Sequence, residues 1–451
     1  MIAENRPIKT NAFFSALEKI AVFFGRMDKI TPLAIIVLCV FGVLGIYSSG
    51  SFRGSDEWFK QIIFIGLGTF VYIALAITPP KFFKDSAIFI YGIGALLLVP
   101  IAISALINVD FGNFIHDVNG SRRWYFLGSF GLQPSEFAKI TTLIFMAKVL
   151  SFSPLSTFRK SYGNVIKAFV IMGVPAMLII VEPDLGSTLV YPPMTLALLW
   201  MAGLKSRFFI TIFAIGAILG SIVAVDIYFY RERIVEYYEA QDQRPRDPAR
   251  DIRGQYQAVS WVPLKDYQRE RLLSFIDPET IDPRGIGSSW NVRQSLICVG
   301  KGGLTGAGFS NGMQAKLGYL PELAAHNDFL FSVIAEEYGF AGCATILGLY
   351  LLMLLRIIQI AYKMTDPFCS LLATGIGTIL LIHILINIGM NIGLMPVTGL
   401  SLPFMSYGGS FVLSCFILLG ILQSVYAHRP PSAKSNIVNT SNSISQPLFQ
   451  S

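Results

Sequence analysis

Asp328 ends the polar triplet His326-Asn327-Asp328, and the chain then runs without interruption into a helix-length apolar stretch. A carboxylate at the rim of a membrane helix can serve as a general base toward an incoming hydroxyl. It can also simply cap the helix, because aspartate is favoured in a first turn and complements the positive end of the dipole. Spacing alone favours the cap. Glu336, eight residues on, falls about 80° round the same helix and offers a second acid below the first. Asparagine in place of Asp328 separates the readings, since it caps a helix but takes no proton.

Ionisable and strongly polar groups inside apolar runs are costly, which makes them functional candidates by default. Here they are Glu136 and Lys139, Asp226, Glu336 and Glu337, and His383 with Asn387 and Asn391. Each has a structural alternative. Glu136 and Lys139, three apart on one helix face, fit an ion pair between helices as well as a substrate contact. Asn387 and Asn391, four apart, fit interhelical hydrogen bonds, and Asp226, close to Arg231 and Arg233, reads as a solvated residue of the outer rim. A second set is formed by short motifs: NGSRRW at 119–124, QPSE at 133–136, EPD at 182–184, QRER at 268–271 and SYGGS at 406–410. Arginine and lysine there can hold a diphosphate by charge-assisted bonds, and glycine-rich turns let backbone N–H groups approach an anion. For Arg122 and Arg123, anchoring to lipid head groups is the alternative.

Membrane helices must position these residues. The chain is 53% hydrophobic and 14% charged, with a mean hydropathy of +0.58, against roughly 25% charged residues in an average soluble protein. About 20 apolar residues cross a bilayer as a helix, and runs of that kind fall at 31–49, 61–79, 86–107, 135–150, 165–181, 185–203, 208–230, 329–355, 368–394 and 411–427. The fourth is short and carries Lys139. The sixth contains Pro192 and Pro193, which a membrane helix tolerates as a kink. In alternate connections, seventeen Lys and Arg face one side and four sit in the short loops of the other, which places both termini in the cytoplasm and the motifs at the outer face.

The expected fold class is therefore an all-α polytopic membrane protein of about ten transmembrane helices, with one large extracytoplasmic loop between the seventh and eighth. Its expected organisation is a cytoplasmic N-terminal segment 1–30, helices one to seven over 31–230, the loop over 231–327, helices eight to ten over 328–427, and a disordered cytoplasmic tail 428–451 rich in Ser and Asn. Within the loop, 241–253 reads as a solvated insert, whereas 264–278 and 290–300 alternate like segments lying on or dipping into the membrane. The net charge of +7 belongs to this topology; no basic tract or RNA-binding motif points to nucleic acid. Five cysteines, four of them inside apolar runs, indicate neither a disulfide framework nor a zinc site.

In order along the chain, NGSRRW, LQPSEFAK, EPDLGS, YQRERLLSFIDPE, QSLICVGKGGLTGAGF, LPE, NDF, AEEYGF and NIGMNIGLMPVTGLSLPFMSYGGS resemble the SEDS family (shape, elongation, division and sporulation) of polytopic peptidoglycan polymerases. The likeness extends over 31–429, and 311–314 with 264–278 look more like its RodA branch than its FtsW branch. What the resemblance implies is a glycosyltransferase acting on lipid II at the outer face of the bacterial cytoplasmic membrane, in elongation and shape maintenance. Asp328 would be the general base that deprotonates the 4-hydroxyl of the acceptor GlcNAc. That oxygen attacks C1 of the donor MurNAc with inversion and displaces undecaprenyl diphosphate.

The resemblance also implies Arg122, Arg123, Lys139, Arg269, Arg271 and Lys301 as cations beside the diphosphate, and Glu136 and Asp184 as polar substrate contacts. Implied partners are a class B penicillin-binding protein and other membrane proteins of the elongation or division complex. A divalent cation, Mg or Mn, would suit the departing diphosphate, although no ligand cluster stands out. A transporter that flips lipid II is the alternative reading of the intramembrane polar groups, and a non-catalytic scaffold is a third. Two departures from the family pattern bear on Asp328: Asn327 replaces the usual Thr, and the spacing from Glu322 is two residues longer than usual. The insert at 241–253 also enlarges the outer loop.

Overall fold

The computed structural model describes residues 25–430 apart from 52–53, 119–120, 129, 153–154, 156–157, 240–261, 263, 265, 284, 286–288 and 321–324. The insert at 241–253, Glu322, most of 1–30 and nearly all of the tail thus lie outside the described residues. Helices stand at all ten expected positions. In chain order the elements are α1 (Ile30–Ser51), α2 (Glu57–Ile77), α3 (Pro80–Ile107), β1 (Tyr125–Leu127), β2 (Phe130–Leu132), α4 (Pro134–Ser151), α5 (Phe158–Val181), α6 (Leu185–Leu189), α7 (Tyr191–Met201) and α8 (Ser206–Glu239). The long connection after α8 carries α9 (Asp266–Ile276), α10 (Pro278–Ile281), α11 (Trp290–Gly302) and α12 (Met313–Lys316), and α13 (Leu330–Lys363), α14 (Pro367–Asn391) and α15 (Gly409–Ala427) follow.

Among the described helices, eight are long and apolar enough to span a bilayer: α1, α2, α3, α5, α8, α13, α14 and α15. The other two expected spans are α4, which carries Glu136, Lys139 and Lys148, and the pair α6–α7. Local chemistry sets where they start. Gln133 is extended (φ −103°, ψ 105°) ahead of Pro134 at the head of α4, a position where the missing N–H of proline has no partner to lose. Asp184 caps α6 by accepting the Ser187 N–H at 3.2 Å. Pro192 and Pro193 lie in the first turn of α7, and Val190 stays right-handed helical (φ −75°, ψ −29°), so the sixth span bends rather than breaks.

The bundle is built around α14 and α15. Burial covers 61% and 83% of their apolar windows, against 6% for α8, so the last two helices form the core and α8 faces outward. α14 packs on α4, α7, α13 and α15, and α15 packs on α2 and α4. Small residues allow the close approach: a Cβ on Gly375 would lie 2.0 Å from Leu143, and one on Gly68 2.4 Å from Phe416. One departure from an all-helical chain is the β1–β2 hairpin, antiparallel and joined through Gly128 at φ 63°. A glycine adopts that left-handed backbone without steric cost.

α13 is two helices joined at Gly339, whose φ of 62° and ψ of −160° are non-helical. The loop after α11 fills the break. Phe340 and Ala341 donate their N–H groups to Gly303 O (2.8 Å) and Leu304 O (3.0 Å), while Ala307 and Gly308 donate to Glu336 O and Glu337 O (both 2.9 Å). The Glu336 carboxylate accepts the N–H groups of Met313 (2.9 Å) and Gln314 (3.1 Å) at the head of α12, and Ser48 donates its hydroxyl to Glu337. Glu336 is therefore occupied in holding the loop, and is no second acid for Asp328. A further correction concerns Asp226, which is no solvated rim residue. α8 carries it into contact with α9, where it pairs with Arg269 at 2.8 Å, both side chains being buried.

Candidate active site

Three successive carbonyls fix the backbone at Asp328. His326 O accepts the Tyr407 N–H at 2.9 Å, and Asn327 O accepts the Ser406 hydroxyl at 2.6 Å. Asp328 O accepts from both Asn387 Nδ2 (3.0 Å) and Asn391 Nδ2 (2.9 Å). Asn391 also accepts the Ser332 N–H at 3.2 Å, and Asn387 donates to Leu400 O at 2.8 Å. The two asparagines are interhelical bonds, as their spacing allowed, and what they join is α14 to the head of α13.

With its backbone so held, Asp328 lines a cavity. α13 begins after Phe329, and among the described residues no N–H of its first turn donates to the Asp328 carboxyl. One carboxyl oxygen lies 3.7 Å from where a Cβ on Gly399 would sit, and Gly399 has φ 77°. The half-buried carboxyl lines a cavity of about 380 Å³ whose wall also includes Lys60, Arg123, Gln133, Glu136, Asp184 and Tyr407. Burial raises the Asp328 pKa to about 6; Arg271 draws it down and Asp184 pushes it up.

Across the cavity, Arg123 donates to Glu182 O at 3.2 Å and to Pro183 O, and lies 3.7 Å from Asp184. Asp184 accepts from Gln133 Nε2 at 3.0 Å and from the Ser187 N–H. The Glu182 carboxyl is buried, and among the described residues neither oxygen has a hydrogen-bond partner. Burial, with Asp184 adding and Arg123 opposing, pushes it up to about 9, so at neutral pH it is an uncharged acid. Ser410 ties α15 to the end of the hairpin and the head of α4, accepting the Gln133 N–H at 3.0 Å and donating to Gly131 O at 3.1 Å.

The family model of the FtsW, RodA and SpoVE cell cycle proteins matches residues 29–261 and 252–430. Peptidoglycan glycosyltransferase RodA of Treponema pallidum is 31% identical over 89% of this chain and 98% of its own length. The chain belongs to the FtsW/RodA/SpoVE family. Peptidoglycan glycosyltransferase MrdB of Escherichia coli (strain K12) is 30% identical over 91% of this chain and 96% of its own. A probable peptidoglycan glycosyltransferase FtsW of Hydrogenovibrio crunogenus is 34% identical over 85% and 87%. In fold, the chain is similar to one from a peptidoglycan synthase complex (TM-score 0.68, 24% identity, 90% of this chain and 99% of that one). It is likewise similar to the Thermus thermophilus rod shape determining protein RodA (TM-score 0.59, 22% identity, 90% and 98%). As a member of the FtsW/RodA/SpoVE family with these apolar helices, it is a multi-pass protein of the bacterial cytoplasmic membrane and a peptidoglycan glycosyltransferase.

On this FtsW/RodA/SpoVE scaffold the expected site residues divide. Asp328, Arg123, Glu136 and Asp184 meet at one cavity. Arg122 does not join them: its guanidinium is taken by Asp110 and Asn108, each at 2.7 Å, with Asp117 at 3.7 Å. Arg269 is likewise no diphosphate ligand, being buried against Asp226, Asp266 and Leu264 O. Lys139 is buried behind the wall, 2.8 Å from Glu136 and 3.1 Å from His383, which makes it a structural partner of Glu136. Lys301 is exposed in the last turn of α11, where a cation complements the dipole, and it lines no part of the cavity. Arg271 is exposed on α9 and reaches Asp328 only through its field. Tyr407 joins the cavity from the SYGGS motif, whereas Lys60 was missed. A lone lysine at the start of the second span was the available signal, and it entered only the count of loop charges. Among the described residues no three His, Cys, Asp or Glu side chains gather as a metal-binding group, and no step is assigned to a metal.

Proposed function

We propose that this glycosyltransferase polymerises lipid II into β-1,4 glycan strands, with Asp328 as the general base for the acceptor hydroxyl. The supporting observation is the Asp328 carboxyl at the wall of a cavity that also carries Arg123 and Lys60. A base removes the proton as the hydroxyl attacks, and fixed cations stabilise the diphosphate as it departs with the bonding electrons. Incubating the purified chain and its partner with lipid II in detergent tests this. Glycan strands are expected; a transporter makes none, because detergent abolishes sidedness.

We further place this reaction at the outer face, with both termini cytoplasmic, on the Lys and Arg asymmetry. A class B penicillin-binding protein is the proposed partner. A complex that coordinates polymerization and crosslinking contains the chain this one resembles in fold, which supports that choice. A role in elongation is the proposed one on the RodA and MrdB relatives, matched over 98% and 96% of their lengths, and the FtsW relative fits a role in division as the second reading.

Two outcomes follow. Because burial lifts the Asp328 carboxyl to about 6, the base is lost as pH falls through that value. The rate of strand synthesis should be level above pH 7 and drop about tenfold per unit well below the pKa, as read from initial rates across pH. Arg123→Gln should raise KM for lipid II about tenfold, the loss of a hydrogen bond to a charged group. Arg122→Gln, whose side chain is turned away from the cavity, should change it less than about twofold.

A further inference from the structure

His383 sits within α14, directly behind the cavity wall. Its Nδ1 lies 3.2 Å from Ser401 O and its Nε2 3.1 Å from Lys139 Nζ. A carbonyl only accepts and an ammonium only donates. The ring is therefore the Nδ1–H tautomer, donating to Ser401 and presenting the Nε2 lone pair to Lys139. It also stacks on Phe411, with centroids 4.9 Å apart and planes at 30°. Ser401, Phe411 and Glu136 all belong to the cavity wall, so one imidazole touches two wall residues and reaches the third through Lys139.

A lysine side chain is a point charge on a flexible stem, and holding it in one rotamer needs partners on more than one side. Glu136 Oε1 supplies one at 2.8 Å, and the imidazole supplies another. With Lys139 anchored, Glu136 has one oxygen committed, while the other lies 3.5 Å from the Ser414 hydroxyl. The result is a carboxylate fixed in one orientation at the wall of a saccharide-sized cavity.

We infer that His383 is a positioning residue: by accepting from Lys139 and donating to Ser401, it holds Glu136 at the cavity wall to accept a hydroxyl or amide N–H of the bound saccharide. The inference rests on the lipid II reading and adds a role for a residue that touches no substrate.

The test compares wild type, H383F, H383Q, E136Q and the double variant H383F/E136Q, each with the partner and lipid II in detergent. Phenylalanine keeps the stack on Phe411 and removes both hydrogen bonds; glutamine can donate to Ser401 and accept from Lys139. H383F should raise KM about tenfold, the loss of one hydrogen bond to a charged group, with kcat changed less than about twofold, and H383Q should restore KM to within about threefold of wild type. In the E136Q background H383F should add less than about twofold, because residues acting through one another are not additive. An unchanged KM in H383F overturns the inference, as does an equal loss in both backgrounds. Failure of both His383 variants to run as a single species on size exclusion overturns it in favour of a folding role. A wild-type chain that makes no strands overturns the lipid II reading and the inference with it, whereas active wild type with an indifferent H383F overturns the inference alone.

Discussion

Asp328→Asn should lower strand synthesis by about 10²- to 10⁴-fold, the range that a general base contributes, with lipid II binding retained. Asparagine has the shape of aspartate and keeps the backbone carbonyl that Asn387 and Asn391 hold. No cap hydrogen bond is lost, because among the described residues no first-turn N–H of α13 donates to this carboxyl. The variant should therefore melt at the wild-type temperature while its rate collapses, and its residual activity should lose the acidic limb near pH 6. Wild-type rates in this variant would remove Asp328 from the reaction, and a large fall in melting temperature would return it to a structural role.

The second large effect is expected from a residue that touches no substrate. Asn391→Leu removes the bonds from Nδ2 to Asp328 O and Asn387 O, and those that Oδ1 accepts from the Ser332 N–H and hydroxyl. Each buried group left without a partner costs about 1–3 kcal/mol. The carbonyl of Asp328 keeps only Asn387, and the carboxyl shifts with it; a displacement on the order of 1 Å at a reacting group lowers a rate about 10²-fold. Steady-state kinetics should show the loss in kcat, with KM changed less than about threefold, together with a lower melting temperature. A fall in KM-dependent rate alone would place Asn391 in binding instead.

Much of this site was legible in the residues before any coordinate. The apolar runs located the helices, because membrane spanning demands length and hydrophobicity and little else. The rim position of Asp328 was equally plain, as was the convergence of QPSE, EPD and SYGGS at one face. Two things were hidden, for physical reasons. One was which cation is already spent: Arg122, Arg269 and Arg123 look alike in sequence, yet Asp110, Asp226 and the Asp184 loop claim them to different degrees. Pairings between residues over forty positions apart, such as Arg269 with Asp226, leave no periodic trace. The other was the use of Glu336. Helical spacing put it near Asp328 on a continuous helix, but the backbone turn at Gly339 lets a loop dock there, and the carboxylate caps α12 instead. The ion-pair reading of Glu136 and Lys139 fared better, since three-residue spacing on one helix is a local rule.

The docking of 303–308 into the interruption of α13 has a consequence for engineering. The long connection before α13 and that membrane helix share four main-chain bonds across Gly339, so they are not separable modules. A chimera that grafts this connection from a relative at its apparent ends would split those bonds between two parents. A graft extended through Ala341 keeps donors and acceptors from a single parent, and is the one that should retain a working enzyme.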